Sequence, residues 1–301
     1  MKKTDTFRQY IWLVHTIQRA RRISYSNIKR LWIENDLNDG KPLTRTTFYR
    51  LRQAIDDMFG ICIECDNRNQ YYITNPETLK DNSTPTWMLQ TLTVNNVLFD
   101  SLSIKDRLVL EKIPKGMEYL DTIITAIKSH QTLLMGYQKF TDTKPYTTRI
   151  EPYCLKLFHQ RWYLLGKSER KSYKLAIYAL DRMTELKETE STYILDPDFD
   201  AETFFNNYFG VFIGEEIKPA HIVLRAYGKM IPLLRTLPKH QSQKEINTQA
   251  NFSDFEYYIA PTLDFKQEIL KEGPDLEVLE PESLRNEIVE SLMKTIQHYQ
   301  P

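Results

Sequence analysis

Hydrophobic positions along the chain alternate between helical and strand spacing. From Asp5 to Ala20, Phe7, Tyr10, Ile11, Val14 and Ile17 recur at helical spacing. Ser24 or Ser26 caps a second helix, with Ile28, Leu31 and Trp32 on its inner face. The Asn, Asp, Gly and Pro of Asp36 to Pro42 predict a turn. A third helix starts at the N-cap Thr44, with Leu43 and Phe48 spaced as a hydrophobic staple. Its buried stripe is expected at Phe48, Leu51, Ile55 and Met58, and Gly60 ends it. Ile61 to Cys65 and Gln70 to Thr74 then read as strands around Asp66-Asn67-Arg68-Asn69, a hairpin with Arg68 at its tip.

Asn75 to Pro85 is polar and Pro-containing, so it reads as a linker. Helical spacing returns from Thr86 (Trp87, Leu89, Leu92), through Val97 to Leu102 and Asp106 to Ile113, to Met117 to Ser129. Short apolar runs follow: His130 to Phe140, Tyr146 to Phe158, Gln160 to Gly166, Ser172 to Leu180, and Met183 to Thr189. These predict a small, strongly bent, five-stranded sheet. Pro152 points to an edge strand or a bulge in the second run. Trp162 and Leu164 share one face, with Trp162 expected in the core; Arg161, Tyr163 and Leu165 share the other. After the break at Asp196-Pro197-Asp198, the order is strand, helix, strand, strand, helix, strand and a final helix from Pro281 to Gln297, which suggests a ferredoxin-like split βαβ unit. The expected fold class is multi-domain α+β, divided at 1–75, 76–129, 130–195 and 196–301.

The third helix carries the first candidate chemistry. At 100° per residue, Thr46, Tyr49, Arg50 and Gln53 lie opposite the apolar stripe, with Arg45 and Thr47 in the first turn. Hydroxyls, an amide and guanidinium groups on one exposed face are what read base edges and phosphates in a major groove. Three helices and a hairpin predict a winged helix-turn-helix at 1–75, with Arg68 of the wing on the DNA backbone.

Charge sharpens this reading. The net charge of the 301 residues is zero. Residues 1–85 hold 14 Lys+Arg against 10 Asp+Glu, a net of +4, and the remainder carries −4. A basic N-terminal module on an acidic body suits a phosphate-bearing partner. Cys62 and Cys65 form a CxxC, but residues three apart in a strand point to opposite faces, so structural cysteines are expected rather than a metal site. Three cysteines in all suit a reducing cytoplasm. No apolar run reaches membrane-spanning length.

Trp162-Tyr163-Leu164, then Ala179-Leu180-Asp181-Arg182-Met183, and before both Arg149-Ile150-Glu151-Pro152-Tyr153, follow one another in order. On these motifs the chain resembles the WYL-domain transcriptional regulators. The resemblance implies an Sm-like β-barrel at 130–195 that senses a negatively charged effector, a nucleotide or single-stranded nucleic-acid fragment being the suspected class. It also implies a helical connector that helps dimerisation at 76–129, a homodimer on double-stranded operator DNA, and a C-terminal extension. Arg149, Tyr153, His159, Arg161, Tyr163 and Arg182 are the candidate effector-binding residues, of types that stack on bases and pair with phosphate. An RNA-binding or scaffolding protein built on the barrel is the alternative. No Ser/His or His/Asp/Glu cluster stands at catalytic spacing, and Asp196, Asp198 and Asp200 lack the glycine and distal glutamate of a calcium loop. Neither an enzyme nor a cofactor is expected.

Overall fold

The computed structural model describes residues 3–35, 41–80, 86–91, 107, 115–214 and 216–300. The fold is mixed α+β. Residues Met1–Glu111 and Lys112–Pro301 form two compact units.

In the first unit the elements run α1 (Lys3–Ala20), β1 (Ile23–Ser24), α2 (Tyr25–Glu34), α3 (Arg45–Phe59), β2 (Ile63–Cys65) and β3 (Gln70–Ile73). The strands form an antiparallel sheet in the order β1-β3-β2. Ser24 caps α2 by accepting from Asn27 N, and Thr44 caps α3 by accepting from Thr47 N. Gly60, at φ 62°, ends α3 in the left-handed conformation that glycine adopts without strain. Leu13, Ile17, Ile28, Trp32, Phe48, Leu51, Ile55 and Ile61 fill the core.

The stripe of α3 departs from expectation at its end. Met58 is 42% exposed, and Phe59 is buried at 4%. From Ile55, a step of four residues returns to nearly the same helical angle, whereas a step of three falls short. The turn expected over Asp36 to Pro42 and the helices expected over Val97 to Leu102 and Asp106 to Ile113 lie largely outside the described residues. Residues 86–91 are helical, and Leu89 joins the core of this unit.

The second unit begins with α4 (Leu120–Ser129). It continues with β4 (Gln131–Tyr137), β5 (Tyr146–Phe158), β6 (Arg161–Ser168), β7 (Lys174–Ala179) and β8 (Met183–Thr192). These strands form one antiparallel sheet in the order β7-β6-β5-β4-β8. Pro152 lies in the central strand, at a register shift between Pro152 and Cys154, so the bulge and not the edge accommodates it. Helix α4 is part of this unit's core: Ile123 and Ala126 pack with Leu133, Met135 and Leu164. A boundary at 129/130 therefore cuts through one packing unit. Trp162 is partly buried against the same cluster. A second cluster contains Tyr153, Leu165 and Tyr193, with Phe199, Phe204 and Phe205 against it.

After α5 (Ala201–Phe205), the chain forms β9 (Ala220–Tyr227), α6 (Met230–Thr236), β10 (Lys244–Thr248), β11 (Phe252–Ile259), α7 (Leu263–Lys271), β12 (Leu276–Glu280) and α8 (Glu282–Gln297). The sheet order is β10-β11-β9-β12, antiparallel throughout. Its buried face packs Ile222, Leu224, Phe255 and Tyr257 against Phe265, Ile269, Leu284 and Ile288 of α7 and α8.

Thr44→Ala deletes the side-chain acceptor at the start of α3. The N-terminal unit is expected to lose about 1 kcal/mol in urea unfolding; an unchanged midpoint would contradict the role given to this cap.

Candidate functional site

Two surfaces gather the candidate residues, one in each unit. On the first, burial of Phe48, Leu51 and Ile55 turns the opposite side of α3 outward. Thr46, Tyr49, Arg50 and Gln53 are all exposed there, and so is Arg45. Arg45 rests its guanidinium on the Tyr25 ring, 4.8 Å from the centroid. Thr47 is half-buried, and its hydroxyl accepts from Thr44 Oγ1 at 2.9 Å, so it serves the helix cap first. Arg52, which the helical wheel did not single out, lies over both Tyr49 and Tyr71 and donates to Ile63 O, fixing the base of the exposed row.

The hairpin is held in shape by Asp66, whose Oδ1 accepts from Arg68 N and Gln70 N, each at 2.9 Å. These N–H donors, Gln70's first, hold its carboxyl below the usual range. Arg68 is exposed at the tip. Arg22 reaches the same hairpin: it pairs with Asp66 and lies 4.6 Å over the Tyr72 ring. Within its own stretch of sequence, Arg22 reads only as part of a basic helix end. Its partners lie more than forty residues away, so only the fold reveals its part in the hairpin. The thiols of Cys62 and Cys65 are free and take different acceptors, Asp56 Oδ1 and Asp66 O. Among the described residues no group of His, Cys, Asp and Glu is arranged to hold a metal ion.

The second surface is a cleft of about 630 Å³ between β7 and a wall of Val211 to Gly214, Glu216 and Ile217. Two of the six residues expected at an effector site line it, Tyr163 and Arg182. Arg182 stacks 3.6 Å over the ring of Phe140, which is 76% exposed. Its Nε is buried and meets no hydrogen-bond partner among the described residues. Arg161 is partly exposed and pairs with Asp181 at 3.5 Å. Arg149 is exposed on β5, opposite Leu134, and does not line the cleft. His159 occupies the exposed β5–β6 turn against Phe158, also away from the cleft. Tyr153 does not line the cleft. It is 5% exposed, stacked on Tyr193 and edge-on to Phe199, because the bulge at Pro152 turns it into the second core cluster.

Sequence reading missed three contributors to the cleft: Tyr137, Lys171 and Lys174. The lysines belong to a basic run, Arg170-Lys171-Ser172-Tyr173-Lys174, which was legible as charge but not as a cleft rim. The hydroxyl of Tyr137 accepts from Ala179 N at 3.3 Å, and burial raises its pKa.

The far wall of the cleft is pinned by side chains from two elements. Asp264 of α7 accepts from Val211 N at 2.6 Å and Phe212 N at 2.7 Å. A Cβ at Gly210 would overlap that carboxylate, so glycine is required there. Lys156 of β5 donates to Gly210 O at 2.8 Å, with its ammonium 3.9 Å from the Phe205 ring. Burial lowers the Lys156 pKa to about 8, against the pull of Asp264.

Residues 118–188 match the WYL domain, and residues 218–296 match the WCX domain. The chain carries a WYL domain followed by a WCX domain. Helix α4, β4 to β7, β8 as far as residue 188 and the lining residues Tyr163 and Arg182 fall within the WYL domain, and β9 to β12 with all but the last residue of α8 within the WCX domain. The solved structure of proteasome accessory factor B/C (PafBC) of Arthrobacter aurescens is similar at 18% identity, with a TM-score of 0.36. That likeness covers 95% of this chain but 46% of the other, so the chain spans less than half its length. A CRISPR Cas-related protein is similar at 13% identity over 98% of this chain and 85% of its own, with a TM-score of 0.43. No curated relative matches the chain.

Lys156 gives the pinned wall a pH signature. Its folded-state pKa of about 8 lies below the ordinary 10.5, so below pH 8 folding buries a charged amine, and above 10.5 the amine is neutral in both states. Stability relative to Lys156→Met should therefore rise as pH climbs from 8 to 10.5. Urea unfolding of both proteins across that range checks this, and parallel curves would contradict it.

Proposed function

We propose that this WYL-domain protein is an effector-responsive, sequence-specific DNA-binding transcriptional regulator that acts as a homodimer. The observation that carries the reading is the division of α3 into a fully buried apolar stripe and an exposed row of Thr46, Tyr49, Arg50 and Gln53. In this reading the first unit is a winged helix-turn-helix. Helix α3 enters the major groove, and the hairpin bearing Arg68 lies on the backbone. Arg45 and Arg50 supply guanidinium groups suited to guanine edges or phosphates, and Gln53 an amide suited to adenine. Thr47, committed to the cap, is left with phosphate or sugar contacts at most.

The five-stranded sheet with α4 is read as an Sm-like barrel and the βαββαβ unit as a ferredoxin-like domain. The cleft between β7 and the segment that precedes β9 receives a negatively charged effector. Among the described residues, Lys171, Lys174 and Arg182 line it together with the carboxylate of Glu216. The unpartnered Nε of Arg182 is a donor that a bound anion would satisfy. An effector shifts DNA affinity only by binding one arrangement of the dimer better than the other. The proposed role is one of binding rather than catalysis, exercised in the cytoplasm. No helix among the described residues is long and apolar enough to cross a membrane.

Arg50→Ala is expected to weaken operator binding by about 1–3 kcal/mol and to relax preference at one base position. Arg68→Ala is expected to weaken binding to all sequences and to lower the salt slope by about one unit. Gel-shift titration over a range of salt concentrations measures both. Unchanged affinity in Arg50→Ala would remove α3 from the groove and end the proposal.

A further inference from the structure

The cleft runs along an unpaired sheet edge, and the main-chain wiring shows which groups that edge offers. Strands β5 and β6 are joined by His159 and Gln160 alone, both at positive φ (46° and 63°), as in a two-residue hairpin turn. The flanking pair Phe158 and Arg161 is then the hydrogen-bonded one, and bonding alternates from there. Tyr163 and Leu165 aim their main chain at β5, and Leu164 aims at its β7 partner Tyr178. It follows that Tyr178, Ala176 and Lys174 bond to β6, while Leu175, Ile177 and Ala179 present N–H and C=O groups to the other side. An independent contact agrees: Ala179 N donates to the Tyr137 hydroxyl and not to β6. No partner meets the outward groups of Leu175 or Ile177 among the described residues.

Both residues line the cleft, as do Lys174 and Ala176 between and beside them. Consecutive residues of a strand alternate between faces, so lining by both parities means that the cavity opens on the edge itself. The opposite edge of the sheet contrasts with this one. Strand β8 carries exposed Glu185, Lys187, Glu188 and Glu190, a row of charges that discourages pairing. Strand β7 has Leu175, Ala176 and Ile177 in the corresponding stretch.

We propose that this edge receives an extended, acidic polypeptide segment of a partner protein as an added strand. The inference rests on the reading of the cleft as the anion-binding effector site and names the effector's class. The carbonyls of Leu175 and Ile177 need donors, and their N–H groups need acceptors, repeating about every 7 Å. A polypeptide backbone supplies both at that repeat. A phosphodiester backbone supplies acceptors only. Lys171, Lys174 and Arg182 select carboxylates on the added strand, and the pinned wall at Phe212 and Ile213 faces its apolar side chains.

Fluorescence anisotropy on the full chain tests this with three probes: a labelled octapeptide of alternating valine and glutamate, the same peptide methylated on alternate amide nitrogens, and decathymidylate. The plain peptide should bind saturably. Binding should fall about tenfold or more on N-methylation in the pairing register, in Ile177→Pro and in the double variant Lys171→Glu/Lys174→Glu. Proline at 177 removes an outward N–H and no bond to β6, and circular dichroism checks that this variant folds. The double variant alters exposed side chains only and carries the test alone if Ile177→Pro is unfolded. Decathymidylate should not displace the peptide. If decathymidylate binds the cleft and N-methylation is without effect, the occupant is a nucleic acid; the peptide inference then fails while the effector site stands. If neither probe binds saturably, both readings fail.

Discussion

The ring of Phe48 fixes the N-terminal unit. It is fully buried, and it meets Tyr25 at the start of α2 at 5.3 Å and Tyr71 of the hairpin at 4.7 Å, both edge-on. One side chain thus ties α3 to the preceding helix and to the following strands. With Phe48 turned inward and Thr44 closing the first turn, the rotation of α3 about its axis has no freedom left. The outward direction of Tyr49, Arg50 and Gln53 is a consequence of that packing, and so is the angle between α3 and the hairpin. The proposed DNA surface is therefore rigid for reasons that have nothing to do with DNA.

The second unit is organised by a different constraint, the alternation of main-chain bonding set by the two-residue turn at His159 and Gln160. That turn decides which residues of β6 face β5 and which face β7, and hence which edge of β7 is left open. It also explains why Trp162 and Leu164 pack inward with α4 while Tyr163 reaches the cleft. The opposite wall is held independently, by Asp264 and Lys156 acting on residues 210–212. A cleft with one wall made of sheet edge and the other of a pinned loop presents main-chain groups and cations in fixed places.

Much of this was legible from periodicity. The caps at Ser24 and Thr44, the hairpin around Asp66 and the βαββαβ order after Ala220 are local patterns, set by residues a few positions apart. What escaped depends on distant contacts. Met58 and Phe59 exchanged roles because the helical angle is finer than a visual stripe. Tyr153 looked like a stacking residue until the bulge at Pro152 turned it against Tyr193. Arg22, Arg52, Lys171 and Lys174 have roles only through partners brought in by the fold. Arg149 and His159 carry basic side chains as Arg182 does, but neither lines the cleft, and side-chain chemistry alone does not specify location.

The central claim is that α3 reads DNA sequence in a two-fold assembly. Selection of bound duplexes from a random pool by the pure protein tests it most directly. The account predicts enrichment of one inverted repeat whose half-sites are separated by about one helical turn or a multiple of it. Recovery of a pool with no shared motif, at an affinity that depends on salt alone, would contradict it.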